Sequence, residues 1–297
     1  MHAPNRVVTS AQLLRSSMRV IKDQPKLLFF LFVNGALMVL LALCFVPWPL
    51  VLHLVQAWRA TGAADHWDET VAQLNHTTVY LYLIALYLIS MFAATFLNVA
   101  LHHEIFRALD SEKVSLLQGL RFAAGRLRSI ILWSLFASSV GLVLQLVASR
   151  TSWLGALAAR LLGMAWSVAA VFALPALVRD EPTDPLTLLR HSALTLQNTW
   201  GESILGYIGV QGVELLTFFC LAGVGLLAAF VLSTIFSWPL FFVSIPFIIL
   251  TLCACAWVTS LANRVYRCAL YIYATEGVVP EPFTSAMMEA AWKVQKN

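Results

Sequence analysis

The sequence predicts an all-α integral membrane protein with six transmembrane helices and short interfacial helices on the cytoplasmic side. Three observations carry this. Hydrophobic residues make up 60% of the 297-residue chain and charged residues 11%, less than half of the roughly 25% usual in a soluble domain. The mean hydropathy is +0.79. Six apolar segments reach the roughly 20 residues that a helix needs to cross a bilayer core; they cover residues 27–56, 77–101, 129–149, 153–178, 203–232 and 239–262.

The first segment carries Pro47-Trp48-Pro49, so its helix is expected to kink or end there. A polar connection over 57–76 follows, with Asp65, Asp68 and Glu69. The second segment ends in His102-His103-Glu104, and the sixth is expected to continue as helix to about Tyr273, beyond the hydrocarbon. Sixteen of the 19 basic residues fall on the side of the two termini. Lys and Arg are retained on the cytoplasmic side, so both termini are expected in the cytoplasm and residues 57–76 outside. Trp48, Trp58, Trp153 and Trp238 mark the outer interface. The net charge of +4 therefore reads as topology, and no block of like charge suggests nucleic acid. The five cysteines all lie in or beside apolar runs, which makes them small core residues. No metal or other cofactor is expected.

A threefold pattern lies on the cytoplasmic side. The stretches from Ala11, Val114 and Leu186 align on their Leu-Leu pairs, Leu13-Leu14, Leu116-Leu117 and Leu188-Leu189. Each precedes an apolar segment by a similar distance, and each has a helix-capping residue before it: Thr9 or Ser10, Ser111, and Thr183 or Asp184. This predicts one membrane domain over 1–297, built of three parallel helix-plus-hairpin pseudo-repeats at about 9–108, 109–181 and 182–275, with a short cytoplasmic tail at 276–297. The basic residues Arg15, Arg19, Arg121, Arg126, Arg128 and Arg190 are expected at the interface, snorkelling to lipid phosphates.

The central stretch from Phe96 to Gly201 includes FLNVALHHEIFRALDSEKVSLLQGLRF, the ALPALV segment and LLRHSALTLQNTWG. The tail reads LYIYATEGVVPEPF from Leu270, followed by a short helix. Both resemble a family of six-span prokaryotic membrane proteins known only as a domain of unknown function. The resemblance covers nearly the whole chain and implies a prokaryotic inner membrane, with no catalytic residues to carry over. A looser similarity links the chain to the membrane domain of some glycerophosphodiester phosphodiesterases. Their separate catalytic barrel would need about 250 residues, which the apolar segments leave no room for.

Among candidate site residues, Glu214 stands out. It lies about 11 residues into the fifth segment, about 16 Å along the helix axis, near the middle of a core of roughly 30 Å. An ionisable group there needs a partner or water and marks a candidate site. Gln211 precedes it by one turn, and Arg160 in the fourth segment is the obvious partner; the set is a polar relay or a structural pair. Gly206, Gly209 and Gly212 form a small-residue strip for close helix packing. His103-Glu104 begins like a zinc-protease motif, but Arg107 occupies the position of the second ligand. Asn34, Asn98, Gln145 and Asn263 are expected to form interhelical hydrogen bonds. No catalytic constellation is visible. The expected role is non-enzymatic, as a small-solute or lipid-handling transporter or a membrane scaffold, with membrane lipids and a membrane-protein partner as contacts. The alternative is an intramembrane enzyme acting on lipid.

Overall fold

The computed structural model describes residues 6–45, 76–150, 153–180, 184–197 and 238–291, with scattered helical positions between 219 and 231. All regular structure among them is helical. In chain order the helices are α1 (Arg6–Asp23), α2 (Leu27–Phe45), α3 (His76–Leu109), α4 (Leu116–Gly125), α5 (Leu127–Arg150), α6 (Trp153–Ala169), α7 (Ala173–Arg179), α8 (Pro185–Gln197), α9 (Trp238–Glu276) and α10 (Ser285–Ala291).

Among the described residues four spans are long and apolar enough to cross a membrane: Tyr80–Leu109, Leu127–Arg150, Gly155–Arg179 and Ser244–Glu276; the bent pair α1–α2 makes up to five. In their most apolar windows only 11–33% of residues are buried by protein. Large side chains such as Phe32, Tyr80, Leu162, Phe247 and Leu250 stand exposed along them. Exposing one such side chain to water costs about 1.5–3 kcal/mol relative to burial, so these continuous faces call for an apolar solvent.

Burial is concentrated at one end of the bundle. On α3 it begins near Val99 and on α9 near Leu261, and it includes Ala173–Val178 and the first two turns of α5. The three amphipathic stretches α1, α4 and α8 pack into this end, each with an apolar face supplied by its own pattern: Leu13, Val20 and Ile21; Gly119 and Ala123; Leu188 and Leu196. Helix α1 meets α2 at 93° through Gln24–Lys26, where Pro25 lies between the helices. Helix α10 tucks under α1, with Met288 fully buried. Gly277, at φ 70°, ends α9 and donates its N–H to the Tyr273 carbonyl at 3.2 Å, a left-handed cap that glycine adopts without strain.

Three details differ from the sequence expectation. The fourth apolar segment is interrupted at 170–172, between α6 and α7. Pro175 explains this, because it has no N–H for the Val171 carbonyl and its ring would clash there. Helix α4 starts after Ser115, not Ser111, and its cap comes from another helix: Glu104 of α3 accepts the Ser115 N–H at 2.6 Å. Thr9 and Ser10 lie inside α1, which already begins at Arg6. At α8, by contrast, Asp184 is the cap. It accepts the Thr187 N–H at 3.1 Å and the Thr187 hydroxyl at 2.6 Å, with Pro185 in the first turn. Residues 57–75 of the polar connection and most of the segment 203–232 lie outside the described residues, and His76 already begins α3.

Gly119 and Gly125 give a matched test of the α3–α4 contact. A Cβ at Gly119 would stand 2.9 Å from the Ala100 carbonyl oxygen and 2.9 Å from Glu104 Cγ, whereas one at Gly125 meets nothing within 4 Å. Gly119→Ala is expected to destabilise by about 1–3 kcal/mol and Gly125→Ala to be neutral or stabilising by up to about 1 kcal/mol, read from melting of the purified chain. Equal melting temperatures would refute the close approach.

The Asp184 cap predicts a pH response. Its hydrogen bonds from the Thr187 hydroxyl and N–H lower its pKa below the ordinary 3.8. A depressed folded value means that the stabilisation is present above the ordinary pKa and is lost as pH falls through the folded one. Protection of the first-turn amides of α8, taken relative to an unstructured peptide at the same pH, should therefore fall on acidification below the ordinary Asp range. In Asp184→Asn, which keeps an acceptor but cannot titrate, this fall should vanish.

Candidate functional site

The α6–α7 interruption faces α3 and α9, and a cavity of about 330 Å³ lies between them. Its polar wall consists of Asn98 and His102 on α3 and Ser260, Asn263, Arg264 and Arg267 on α9, with apolar residues of 170–174 opposite. Asn98 and His102 are four residues apart, and Arg264 and Arg267 three, so each pair shares a helix face. Arg264 donates to Asn98 Oδ1, which ties α9 to α3 and aims the Asn98 amide. His102 Nδ1 donates to the Asn98 carbonyl at 2.6 Å. This leaves Nε2 as the ring nitrogen available to a neutral imidazole's acceptor role. No carboxylate lines the cavity among the described residues. The wall is thus rich in donors and positive in charge.

Three polar ties hold the elements around it. Glu104, with no exposed side-chain surface, takes the Ser115 N–H and lies 3.4 Å from Arg107, which also reaches Glu112 at 2.7 Å and Gln118. His103 stacks on Phe122 of α4 with centroids 3.9 Å apart. Arg126, between α4 and α5, donates to the carbonyls of Leu177 at 2.7 Å and Asp180 at 2.6 Å, satisfying the C-terminal end of α7. Arg179, at the end of α7, forms a two-pronged pair with Glu276 of α9 at 2.7 and 3.2 Å and reaches Asp110 beyond α3 at 3.0 Å. Beside it the Tyr271 hydroxyl donates to Asp180 at 2.9 Å. The ends of α3, α7 and α9 are thereby clasped together.

The sequence candidates distribute unevenly. Glu214, Gln211, Gly206, Gly209 and Gly212 lie outside the described residues, and Arg160 is exposed on α6. Arg15, Arg19, Arg121, Arg128 and Arg190 are exposed, whereas Arg126 turns inward over the Phe122 ring. Asn98 makes its interhelical bond, Gln145 is exposed, and Asn34 Oδ1 is buried without a hydrogen-bond partner among the described residues. Among the described residues Gly35 gives a close helix approach: a Cβ there would stand 2.8 Å from the Trp257 ring of α9. Sequence reasoning missed the cavity, because it counted Arg264 and Arg267 among the basic residues that set topology and took His102 only as the end of the second segment. The available signal was the paired spacing of polar residues at the end of two apolar segments.

Over residues 75–280 the chain matches the model of a family described as a family of unknown function (DUF6159). No curated protein and no solved structure matches it.

Arg179→Gln is expected to lower the melting temperature by about 2–4 °C, the effect of about 1 kcal/mol in a chain of this size, since the clasp is partly exposed and such pairs contribute about 1 kcal/mol or less each. The loss should shrink in high salt. A melting temperature unchanged at low salt would show that the clasp contributes nothing.

Proposed function

We propose that this chain, which belongs to the DUF6159 family of unknown function, is a multi-pass membrane protein that receives a polar ligand in the cavity between α3, α9 and the α6–α7 interruption. The carrying observation is the depth of that cavity. Tyr80 to Asn98 spans about 27 Å of helix at 1.5 Å per residue, close to the roughly 30 Å of a bilayer core, and α9 runs at least that far, about 38 Å, from Trp238 to Asn263. The polar wall thus begins where the apolar faces of two helices end, at the level of one membrane surface.

The basic-residue distribution makes that surface the cytoplasmic one, with both termini on the same side. In this reading segment 203–232 completes six spans in a prokaryotic inner membrane. Helices α1, α4 and α8 are the interfacial members of three parallel repeats. A donor-lined cavity supports non-enzymatic handling of a small solute or lipid over a purely scaffolding role, because a scaffold has no use for clustered cations in its packed end.

Thiol accessibility tests this. In a background with Cys44, Cys220, Cys253, Cys255 and Cys268 replaced, Ser260→Cys is expected to react with a hydrophilic maleimide in inverted vesicles and not in right-side-out ones. Leu250→Cys, exposed on the apolar face of the same helix, should react in neither. An unreactive Ser260→Cys in both orientations would mean that the cavity is closed to water and the reading is wrong.

A further inference from the structure

We infer that the cavity is a phosphate-recognition site, occupied by the phosphate of a membrane lipid headgroup; this rests on the ligand-cavity reading above. The donors fit that chemistry. Arg264 and Arg267 project from one face of α9, and a guanidinium presents paired N–H groups that match phosphate oxygens. With Asn98 Oδ1 engaged by Arg264, the Asn98 amide keeps its N–H groups as donors on the α3 side, facing the arginines of α9. Donors thus converge from two helices. A carboxylate offers two oxygens and can be met by one guanidinium fork, whereas phosphate presents oxygens in several directions and can use donors from both walls. Among the described residues, no acidic side chain in the lining competes for the cations.

Depth selects the source. The cavity lies at the end of apolar stretches that match the thickness of the hydrocarbon, which is the level of lipid phosphates. The apolar residues Ala170, Val171 and Leu174 form its other wall, so a ligand with a polar head and an apolar continuation meets a matching surface on each part. A volume of about 330 Å³ is at the small end of ligand sites. It accommodates a headgroup while the acyl chains remain outside against the exposed faces of α3 and α9.

The test uses the full chain in detergent and the reactivity of Ser260→Cys. Labelling by the hydrophilic maleimide reports the open cavity, and slowing of that labelling by a ligand reports occupancy, so the two readings fail separately. The probes are mixed micelles of phosphatidic acid or phosphatidylglycerol, micelles of diacylglycerol with the same acyl chains, and free glycerol phosphate and inorganic phosphate. Protection by the phospholipids and none by diacylglycerol is expected. Arg264→Gln and Arg267→Gln should each weaken protection on the order of tenfold or more, the usual effect of losing a hydrogen bond to a charged group, while Arg160→Gln should not. Protection by phospholipid but not by glycerol phosphate supports the lipid source. Protection by the free phosphates alone overturns that source and assigns a soluble phosphate ester. If Ser260→Cys reacts but no phosphate compound protects it, or diacylglycerol protects equally, phosphate recognition is refuted while the open cavity stands. The unsubstituted chain supplies an independent measurement, since a phospholipid that binds the folded state should raise its melting temperature with added lipid. The absence of any rise over diacylglycerol would likewise refute the inference.

Discussion

The last three turns of α3 are buried against α2, α4, α5, α7 and α9, and most of the described structure depends on that burial. Val99, Ala100, Ile105 and Phe106 lose nearly all their surface. Gly119 removes the side chain that would otherwise hold α4 away, since even a Cβ would meet a backbone oxygen. Glu104 then enters the contact as a buried carboxylate and takes the first free N–H of α4. A buried charge is tolerated only with donors around it, and Ser115 N–H and Arg107 supply them. One stretch of helix thus sets the position of α4 and, through Phe106 and Tyr271, of α9.

The chain divides its apolar surface between two environments. At one end short amphipathic helices cover the long ones and build a core of protein against protein. Further along the same helices nothing of comparable extent among the described residues covers the apolar faces. The polar cavity occupies the boundary between these regimes. Of its polar groups His102 and Asn263 are buried, while Arg264 and Arg267 are half-buried.

The interruption between α6 and α7 connects local chemistry to this site. Pro175 cannot continue the ladder of hydrogen bonds from α6, so the backbone turns at 170–172 and part of it becomes a cavity wall. The groups freed by the break find partners from elsewhere. At the break the Ser192 hydroxyl of α8 accepts the Phe172 N–H at 3.0 Å, and at the far end of α7 Arg126 donates to the Leu177 and Asp180 carbonyls. Backbone groups left open at the two ends of α7 are thereby satisfied by neighbouring elements.

By itself the sequence determined what depends on composition and period. The apolar runs were legible because a long helix in an apolar environment needs an unbroken hydrophobic stretch. The amphipathic helices α1, α4 and α8 were legible because one face of each must alternate with the helical turn, and Thr183 or Asp184 announced the start of α8 through local capping chemistry. Glu104 as the cap of α4 was not legible, because its partner lies 11 residues away in another helix. The inward turn of Arg126 and the clasp of Arg179 on Asp110 and Glu276 were hidden for the same reason, since the partners lie 51 to 97 positions apart. The cavity joins Asn98 to Arg264 across 166 positions. Periodicity shows which residues share a face of one helix; only the packing of helices decides which faces meet, and a site built from donors on two helices exists only after that choice has been made.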